Sequence, residues 1–351
     1  MSAMPMSEHS LSPNWQPTAR IENLRRRALI LRRIREFFDS AGFFEVQTPC
    51  LSNETVVDQH LDPVLVHRDA LRGGRYSDPN HWGAESLGSD ESAANAPWMY
   101  LQTSPEAAMK RLLAAGAGAI YQMGPVFRSD ERGALHNPEF TMLEWYRTGD
   151  SMEAGIERLR NLVQHILGGP LPQVVTYLEV FQQAMGIDPY EISDAGLRDQ
   201  LAKIETGYVP SGDESRDTCL DLLMGLVVAP SLSGRTIVSN YPLTQAALAR
   251  RSEVDPRTAE RFELFIDGVE LANGYAELLD AEVLGERTRQ SNQLRSADGR
   301  RPLPAPERLF AAMRHGLPPC SGTAMGVDRL VMAALAAERI DEVIPFPVDR
   351  A

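Results

Sequence analysis

The 351-residue sequence predicts an α+β fold, in which a mostly antiparallel sheet is flanked by helices. Apolar, strand-like segments follow each other in pairs, as at 119–128 and 140–146, instead of alternating one by one with helices. Another such region contains Asp267-Gly268, a dipeptide that favours the tight turn of an antiparallel hairpin. Helical periodicity starts at Ile21 and returns near the end of the chain, which supplies helices to cover the sheet.

The first helix is predicted to run from Ile21 to Gly42, where the glycine supplies a stop. Its apolar residues recur at three- and four-residue steps, namely Leu24, Ala28, Leu31, Ile34 and Phe38. A short strand at Phe43–Val46 then leads into Thr48-Pro49. Further along, Ser104 is predicted to cap a helix whose first turn begins at Pro105.

Two segments show neither helical nor strand periodicity. Residues 1–18 are polar and contain several prolines, which predicts a flexible N-terminal arm. Residues 70–97 are rich in glycine and other turn residues and predict a long surface loop, inserted into one domain at 19–351.

After the strand at 140–146, Asp150 with Glu153 resembles a capping box that opens another helix.

Composition and charge narrow the class of protein. The net charge of −13 argues against a general nucleic-acid binder, which normally carries a basic stripe. Cys50, Cys219 and Cys320 are far apart, so neither a disulfide framework nor a structural zinc site is expected, and a reducing compartment fits. No apolar stretch approaches the roughly 20 residues of a membrane helix, and the N-terminus lacks signal-peptide features. We therefore expect a cytoplasmic protein that does not bind membranes.

Arg128 and the segment that follows it are the first candidates for chemistry. Arg128 ends an apolar strand-like segment, and the planar guanidinium matches phosphate oxygens two at a time. A solvated arginine at a strand end would give the same local pattern. On a strand, Phe140, Met142, Glu144 and Tyr146 share one face. That face offers a ring that could stack on a purine and a carboxylate with a hydroxyl that could hold an ammonium group.

Glu270 and Glu277 bracket Asn273-Gly274. Positions seven apart on a regular strand point to opposite faces, so a bulge at Asn273-Gly274 is needed to bring both carboxylates to one face. Together they could bind Mg²⁺ or clamp an amino group, or they could be surface glutamates on either side of a hairpin.

Arg329 lies in the first turn of the last predicted helix. Val327, Leu330, Val331 and Ala334 form the apolar stripe of that helix, and Arg329 lies opposite them. A positive side chain, a helix N-terminus and the preceding Gly326 together favour an anion. A solvent-facing arginine would again fit the local pattern.

In their order along the chain, these signals resemble the three motifs of class II aminoacyl-tRNA synthetases. Motif one resembles the first helix with Val46-Gln47-Thr48-Pro49, motif two resembles 127–144, and motif three resembles Gly326-Val327-Asp328-Arg329. HNPEFTMLEWY and ELANG resemble the lysyl branch of the class. The resemblance covers roughly residues 15–351 except the loop at 70–97, and it implies an ATP-dependent ligase that uses Mg²⁺.

The resemblance is nearest to the short lysyl-tRNA synthetase paralogues that attach (R)-β-lysine to elongation factor P. Only 20 residues precede the first helix, so we expect no anticodon-binding domain and no tRNA partner. Ala324 stands where lysyl-tRNA synthetases have glycine in the amino-acid pocket, which fits a substrate with its amino group on the β-carbon. In the family the motif-one helix and its proline, here Pro49, form a homodimer interface.

The resemblance also implies a role for each candidate residue. Arg128 would contact the α-phosphate and Arg329 the γ-phosphate, and Glu270 would hold Mg²⁺ through the ATP phosphates. The implied ATP-binding set is Arg128, Ser129, Asp130, Asn137, Phe140, Glu270, Leu271, Gly326 and Arg329. The implied amino-acid set is Ser104, Pro105, Glu106, Tyr146, Glu277 and Ala324. Either Asp130 or Glu131 takes the acidic role of the family's Arg-x-Glu.

Three other functions compete with this interpretation. A minimal lysyl-tRNA synthetase could charge or modify tRNA without an anticodon domain. A non-enzymatic regulator on the same scaffold would be expected to lack Arg128, Arg329 or Glu270, and all three are present. An ammonia-dependent amide synthetase has no support from the lysyl-type segment.

Overall fold

The computed structural model describes residues 15–71, 97–204 and 214–351. Most of the predicted arm at 1–18 and of the predicted loop at 70–97 lies outside these residues. Thr18 is described, and its backbone N–H donates to the Pro345 carbonyl at 3.0 Å, so the fold already includes the end of the predicted arm.

The described strands form an eight-stranded and a three-stranded sheet. The strands are β1 Phe44–Glu45, β2 Leu51–Ser52, β3 Leu65–His67, β4 Trp98–Leu101, β5 Ala119–Phe127, β6 Glu139–Thr148, β7 Gln173–Thr176, β8 Arg235–Pro242, β9 Thr258–Ile266, β10 Val269–Ala276 and β11 Cys320–Gly326. The large sheet has the order β1-β5-β6-β11-β10-β9-β8-β7, and only its two edge pairs, β1 with β5 and β7 with β8, are parallel. The predicted mostly antiparallel α+β fold is confirmed.

Helices cover this sheet on both faces. The described α-helices are α1 Ile21–Ser40, α2 Glu106–Ala114, α3 Met152–Leu167, α4 Tyr177–Met185, α5 Asp194–Ala202, α6 Arg216–Leu223, α7 Ala229–Ser231, α8 Ala281–Ala297, α9 Glu307–Gly316 and α10 Val327–Leu335. A π-helical turn at Met224–Val228 joins α6 to α7, and short 3₁₀ turns lie at Arg68–Leu71, Leu243–Gln245 and Ile340–Glu342. Among these helices, none is both long and apolar enough to cross a membrane.

The largest apolar core lies between one sheet face and α1, α3 and α10. Alternate residues of β6 point into it, so Leu143 and Trp145 are buried there beside Phe38 of α1. The intervening β6 residues face the opposite side of the sheet, on which α2, α8 and α9 pack. The sheet therefore separates an apolar core from a polar floor.

Two predicted helix starts are wrong in detail. The α2 helix begins at Glu106, and Ser104 Oγ lies one residue before the cap while accepting the Glu106 N–H at 3.0 Å. Ser151, not Asp150, caps α3, because its Oγ accepts the Ala154 N–H, whereas Asp150 pairs with Arg158 at 2.7 Å.

The hairpin between β9 and β10 confirms one turn and corrects one bulge. Asp267 and Gly268 both have positive φ, +46° and +81°, as a tight hairpin turn of this sequence requires. The predicted bulge at Asn273-Gly274 is wrong, because the register shifts between Glu270 and Ala272 instead. Gly274 serves packing: a Cβ there would lie 2.3 Å from Phe262 Cζ.

Candidate functional site

A cleft of about 590 Å³ lies on the polar face of the large sheet. Its floor comes from β6, β10 and β11, and its walls come from residues 56–61, α8 and the start of α10. The predicted site residues that line it are Glu106, Arg128, Asn137, Phe140, Tyr146, Glu270, Leu271, Glu277, Ala324, Gly326 and Arg329. The displaced bulge has the effect that the sequence required, since Glu270 and Glu277 both face the cleft.

Two arginines far apart in the sequence meet at one end of the cleft. Arg128 lies over the Phe140 ring, with Cζ 5.1 Å from the ring centre. Arg329 Nη1 donates to the Glu270 carbonyl at 2.7 Å, and its Nη2 lies 2.6 Å from His136 Nε2. Both arginines lower the pKa values of Glu270 and His136, so both positive charges act on one small region. This end suits a polyanion beside an aromatic ring.

His136 is a cleft residue that the candidate set missed. Burial lowers its pKa first and the neighbouring Arg329 lowers it further, which favours the neutral imidazole. A neutral ring can accept a hydrogen bond from the arginine, and this contact orients Arg329 toward the cleft. Its place directly before Asn137-Pro138 was the available signal.

Asn137 helps to close the same end of the cleft. Its Nδ2 donates to the Glu139 carbonyl at 2.6 Å, and its Oδ1 accepts the Val348 N–H at 3.0 Å. The C-terminal segment is thereby tied to the start of β6. Asn137 therefore acts here by hydrogen-bonding to the backbone of residues 139 and 348.

Glu270 is the carboxylate that could hold a magnesium ion. Loss of hydration within the cleft raises its pKa, the nearby Glu263 raises it further, and Arg329 and Arg128 oppose the shift. Among the described residues no three metal-ligating side chains cluster. Mg²⁺ needs only one or two carboxylates when phosphates supply other ligands, so Glu270 alone fits the ion, because Glu263 pairs with Arg261 and accepts the Tyr241 hydroxyl.

A buried cluster of carboxylates forms the other end of the cleft. Glu144 Oε1 accepts the Tyr146 hydroxyl at 2.6 Å, and Glu144 Oε2 accepts the Ser104 hydroxyl at 2.9 Å. Glu106 and Glu277 lie beside them, and Lys110 Nζ is 2.5 Å from a carboxylate oxygen of each. Such a group of buried acceptors suits a ligand with ammonium groups.

Two carboxylates of this cluster, those of Glu144 and Glu277, resist ionisation. Burial raises the pKa of Glu144 to about 8, with the charge of Glu106 adding to the effect. Burial also raises the pKa of Glu277 to about 7, although Lys110 opposes the shift. For Lys110, burial disfavours the charged form, but Glu106 and Glu277 outweigh burial and raise its pKa.

Four predicted site residues do not line the cleft. Ser129 and Asp130 line a separate cavity of about 380 Å³, because Asp130 has φ of +65° and turns the chain away, and Glu131 faces the cleft instead. Glu131 Oε1 lies 3.4 Å from Arg128 Nη1. Ser104 and Pro105 do not line the cleft, although Ser104 Oγ donates to the cleft residue Glu144 at 2.9 Å.

Asn273 and Lys110 are further residues absent from the candidate set. Asn273 Oδ1 is buried at the cleft without a hydrogen-bond partner among the described residues, so it is an acceptor open to a ligand. In the sequence, Asn273-Gly274 favours a turn or bulge of the backbone, and this signal does not indicate a role for the Asn273 side chain. For Lys110, the spacing of four residues from Glu106 was the available signal.

Comparisons with known proteins agree with this fold. The family model for class II tRNA synthetases (D, K and N) matches residues 15–350. A Klebsiella pneumoniae subsp. pneumoniae protein is 44% identical over 344 residues, covering 97% of this chain and all of that protein. An Edwardsiella ictaluri protein is 43% identical over 96% of this chain and 98% of its own length.

A third relative, from Salmonella arizonae, is 42% identical over 97% of this chain and all of its own length. All three relatives are named elongation factor P–(R)-β-lysine ligase. Near-complete coverage in both directions means that the likeness extends over the whole catalytic architecture. The chain therefore belongs to the class II tRNA synthetase family, within the group of elongation factor P–(R)-β-lysine ligases.

Proposed function

We propose that this protein activates (R)-β-lysine with ATP and transfers it to the ε-amino group of a lysine on elongation factor P. One observation carries the proposal: a single cleft has two arginines beside an aromatic ring at one end and buried carboxylates at the other. The arginine end suits a nucleotide triphosphate, and the carboxylate end suits an amino acid with more than one ammonium group. The names of the relatives supply the particular amino acid and acceptor.

The first half-reaction needs no protein nucleophile. The amino-acid carboxylate attacks the α-phosphorus of ATP, the bond to the β-phosphate oxygen breaks, and pyrophosphate leaves. Arg128 would stabilise the charge at the α-phosphate and Arg329 the charge at the γ-phosphate. Phe140 would stack on the adenine. Glu270 would hold a magnesium ion through the ATP phosphates, and that ion would supply further neutralisation of phosphate charge.

In the second half-reaction the acceptor amine attacks the carbonyl carbon of the aminoacyl adenylate. An amide bond forms, AMP leaves, and the amine loses a proton. Catalysis by this chain would then consist mainly of positioning two substrates at one cleft. As elongation factor P is a translation factor, we propose that the protein acts in the cytoplasm.

We also propose that the protein forms a homodimer through α1 and the segment that contains Pro49. Leu29 and Phe44 expose 55% and 51% of their surface, and Pro49 is exposed as well. Apolar residues of this size on a helix and its adjoining strand suit an interface. Sedimentation of the purified protein would test this part, and a monomer would contradict it.

ATP–pyrophosphate exchange dependent on (R)-β-lysine tests the first half-reaction. We expect Arg128→Ala to lower exchange by about 100-fold or more, the usual loss when one stabilising donor is removed. Arg132→Ala is the matched control, because Arg132 is exposed on the same loop and pairs with Asp349 instead of lining the cleft. Undiminished exchange in Arg128→Ala would overturn the assignment.

Mass spectrometry tests the acceptor and the amino acid. Elongation factor P incubated with the protein, ATP and (R)-β-lysine should gain the mass of one lysyl residue. A strong preference for α-lysine in the same assay would defeat the β-lysine assignment. Charging of tRNA-Lys in place of the protein acceptor would favour a minimal synthetase.

A further inference from the structure

Lys110 is a buried cation that stands behind the carboxylates of the cleft. Only 1% of its surface is exposed, and it does not itself line the cleft. Its Nζ lies 2.5 Å from Glu106 Oε1 and 2.5 Å from Glu277 Oε2, and both of these glutamates do line the cleft. One ammonium group thus bridges a helix, α2, and the residue that follows β10.

The charges at this end of the cleft can be counted. Burial raises the pKa of Glu144 to about 8, so near neutral pH the charged groups are Glu106, Glu277 and Lys110, with a net charge of −1 when all three are ionised. A diamino monocarboxylic acid carries two ammonium groups and one carboxylate, and its net charge of +1 balances that charge. An amino acid with a single ammonium would leave one buried negative charge without compensation, which is costly.

We propose that Lys110 is a positioning residue that keeps Glu277 ionised and orients Glu106 and Glu277 for the amino groups of a diamino acid. The inference rests on the proposed function, because it assumes that this end of the cleft binds the amino acid. It adds a residue that sets the charge of the pocket without touching the substrate.

The chemistry of the position favours lysine over arginine. The chain has 35 lysines and arginines, and only Lys110 and Lys203 are lysines, so arginine is the ordinary basic residue of this protein. Met109 and Leu113 are buried on either side of Lys110 in an apolar cluster. A compact ammonium can contact two carboxylates in such a space, whereas a planar guanidinium needs more room.

A purely structural ion pair would hold the α2 helix against the sheet but would not control the titration of the pocket. Opposite charges within a few ångströms lower carboxyl pKa values by about 1–3 units. Burial raises the pKa of Glu277, and Lys110 lowers it in this way, whereas the negative charge of Glu106 raises it. The charged and titratable groups around the pair come from four elements and their flanks: Glu106 of α2, Glu144 and Tyr146 of β6, Tyr275 and Glu277 of β10, and Cys320 of β11.

The test is the pH profile of kcat/KM for (R)-β-lysine in ATP–pyrophosphate exchange, which reports groups of the free enzyme. In Lys110→Met we expect the acidic limb to move up by about 1–3 pH units. In Glu106→Gln we expect it to move down, because a negative neighbour of Glu277 is removed. Lys203→Met is the matched control, since Lys203 is exposed at the end of α5, and its limb should coincide with that of the wild type.

An acidic limb that stays in place in Lys110→Met would overturn the inference. A rise in KM for ATP as large as the rise in KM for (R)-β-lysine in that variant would also overturn it. If Lys110→Met does not fold, an unmoved limb in Glu106→Gln overturns it instead. Absence of lysine-dependent exchange in the wild type would refute the proposed function itself. Exchange in the wild type with unmoved limbs would refute only the role of Lys110.

Discussion

Gly322 offers a direct way to block the proposed amino-acid end of the cleft while leaving the proposed nucleotide end intact. It lies on β11, paired with Tyr146 of β6 on one side and Tyr275 of β10 on the other. A Cβ added at Gly322 would lie 2.2 Å from Tyr146 Cε1 and 2.3 Å from Glu277 Oε1. Gly322→Ala therefore places a methyl group where two of the proposed amino-acid contacts now meet.

The size of the effect follows from these distances. Carbon atoms in contact prefer about 3.5–4.0 Å, so the Tyr146 ring has to move by more than an ångström. Tyr146 is buried and donates to Glu144 at 2.6 Å, so this movement also disturbs a short hydrogen bond. Overpacking typically costs about 1–3 kcal/mol, and an ordinary hydrogen bond contributes about 0.5–1.5 kcal/mol. We expect a loss of at least about 2 kcal/mol in amino-acid binding, which is roughly 30-fold.

Saturation of ATP–pyrophosphate exchange with each substrate measures this loss. In Gly322→Ala, KM for (R)-β-lysine should rise roughly 30-fold or more, while KM for ATP stays within about twofold. Gly285→Ala is the matched control, because a Cβ at this position of α8 meets nothing within 4 Å. An unchanged KM for the amino acid in Gly322→Ala would refute the placement of the substrate against Tyr146 and Glu277.

Two further predictions concern stability. Arg295 is fully buried and donates to the carbonyls of residues 58 and 61 and to Asp62, so Arg295→Met should lower the free energy of unfolding by about 3–5 kcal/mol. Arg300→Met removes a half-exposed partner of the same Asp62 and should lower the free energy of unfolding by less than about 1 kcal/mol. Urea unfolding measures both variants, and equal losses of unfolding free energy would contradict this assignment. Glu144→Gln should raise Tm relative to the wild type more at pH 8 than at pH 5. In the wild type, the stability that protonated Glu144 contributes is fully present below its ordinary pKa of 4.5 and is lost as the pH rises toward about 8, whereas glutamine stays neutral. The same Tm difference at both pH values would contradict it.

Local chemistry made several parts of the fold predictable. The Asp267-Gly268 hairpin needs positive φ at both residues, a requirement written in the dipeptide itself. The two faces of β6 follow from the alternation of side chains on any strand, so Phe140 and Tyr146 were assigned together correctly to the cleft side. The α1 helix begins at Ile21, as its periodicity predicts.

Other features depend on neighbours that are distant in sequence. The bulge of β10 is set by its pairing with β9, and Asn273-Gly274 carries no record of that pairing. Gly274 is needed because Phe262 packs against it, a contact that no local pattern reveals. Likewise, the positive φ of Asp130 turns Ser129 and Asp130 into another cavity, although their positions after Arg128 suggested nucleotide contacts.

The two ends of the cleft differ in how far sequence can reveal them, and the reason is physical. Each arginine of the nucleotide end stands beside a local signal, a strand end for Arg128 and a glycine-preceded helix start for Arg329. The proposed amino-acid end is governed by a balance of buried charge, and such a balance is a sum over elements that meet only in the fold. Lys110 pairs locally with Glu106, but the pairing with Glu277, 167 residues later, makes this lysine part of the pocket. Substrate selectivity here should therefore respond to residues behind the cleft as strongly as to residues that line it.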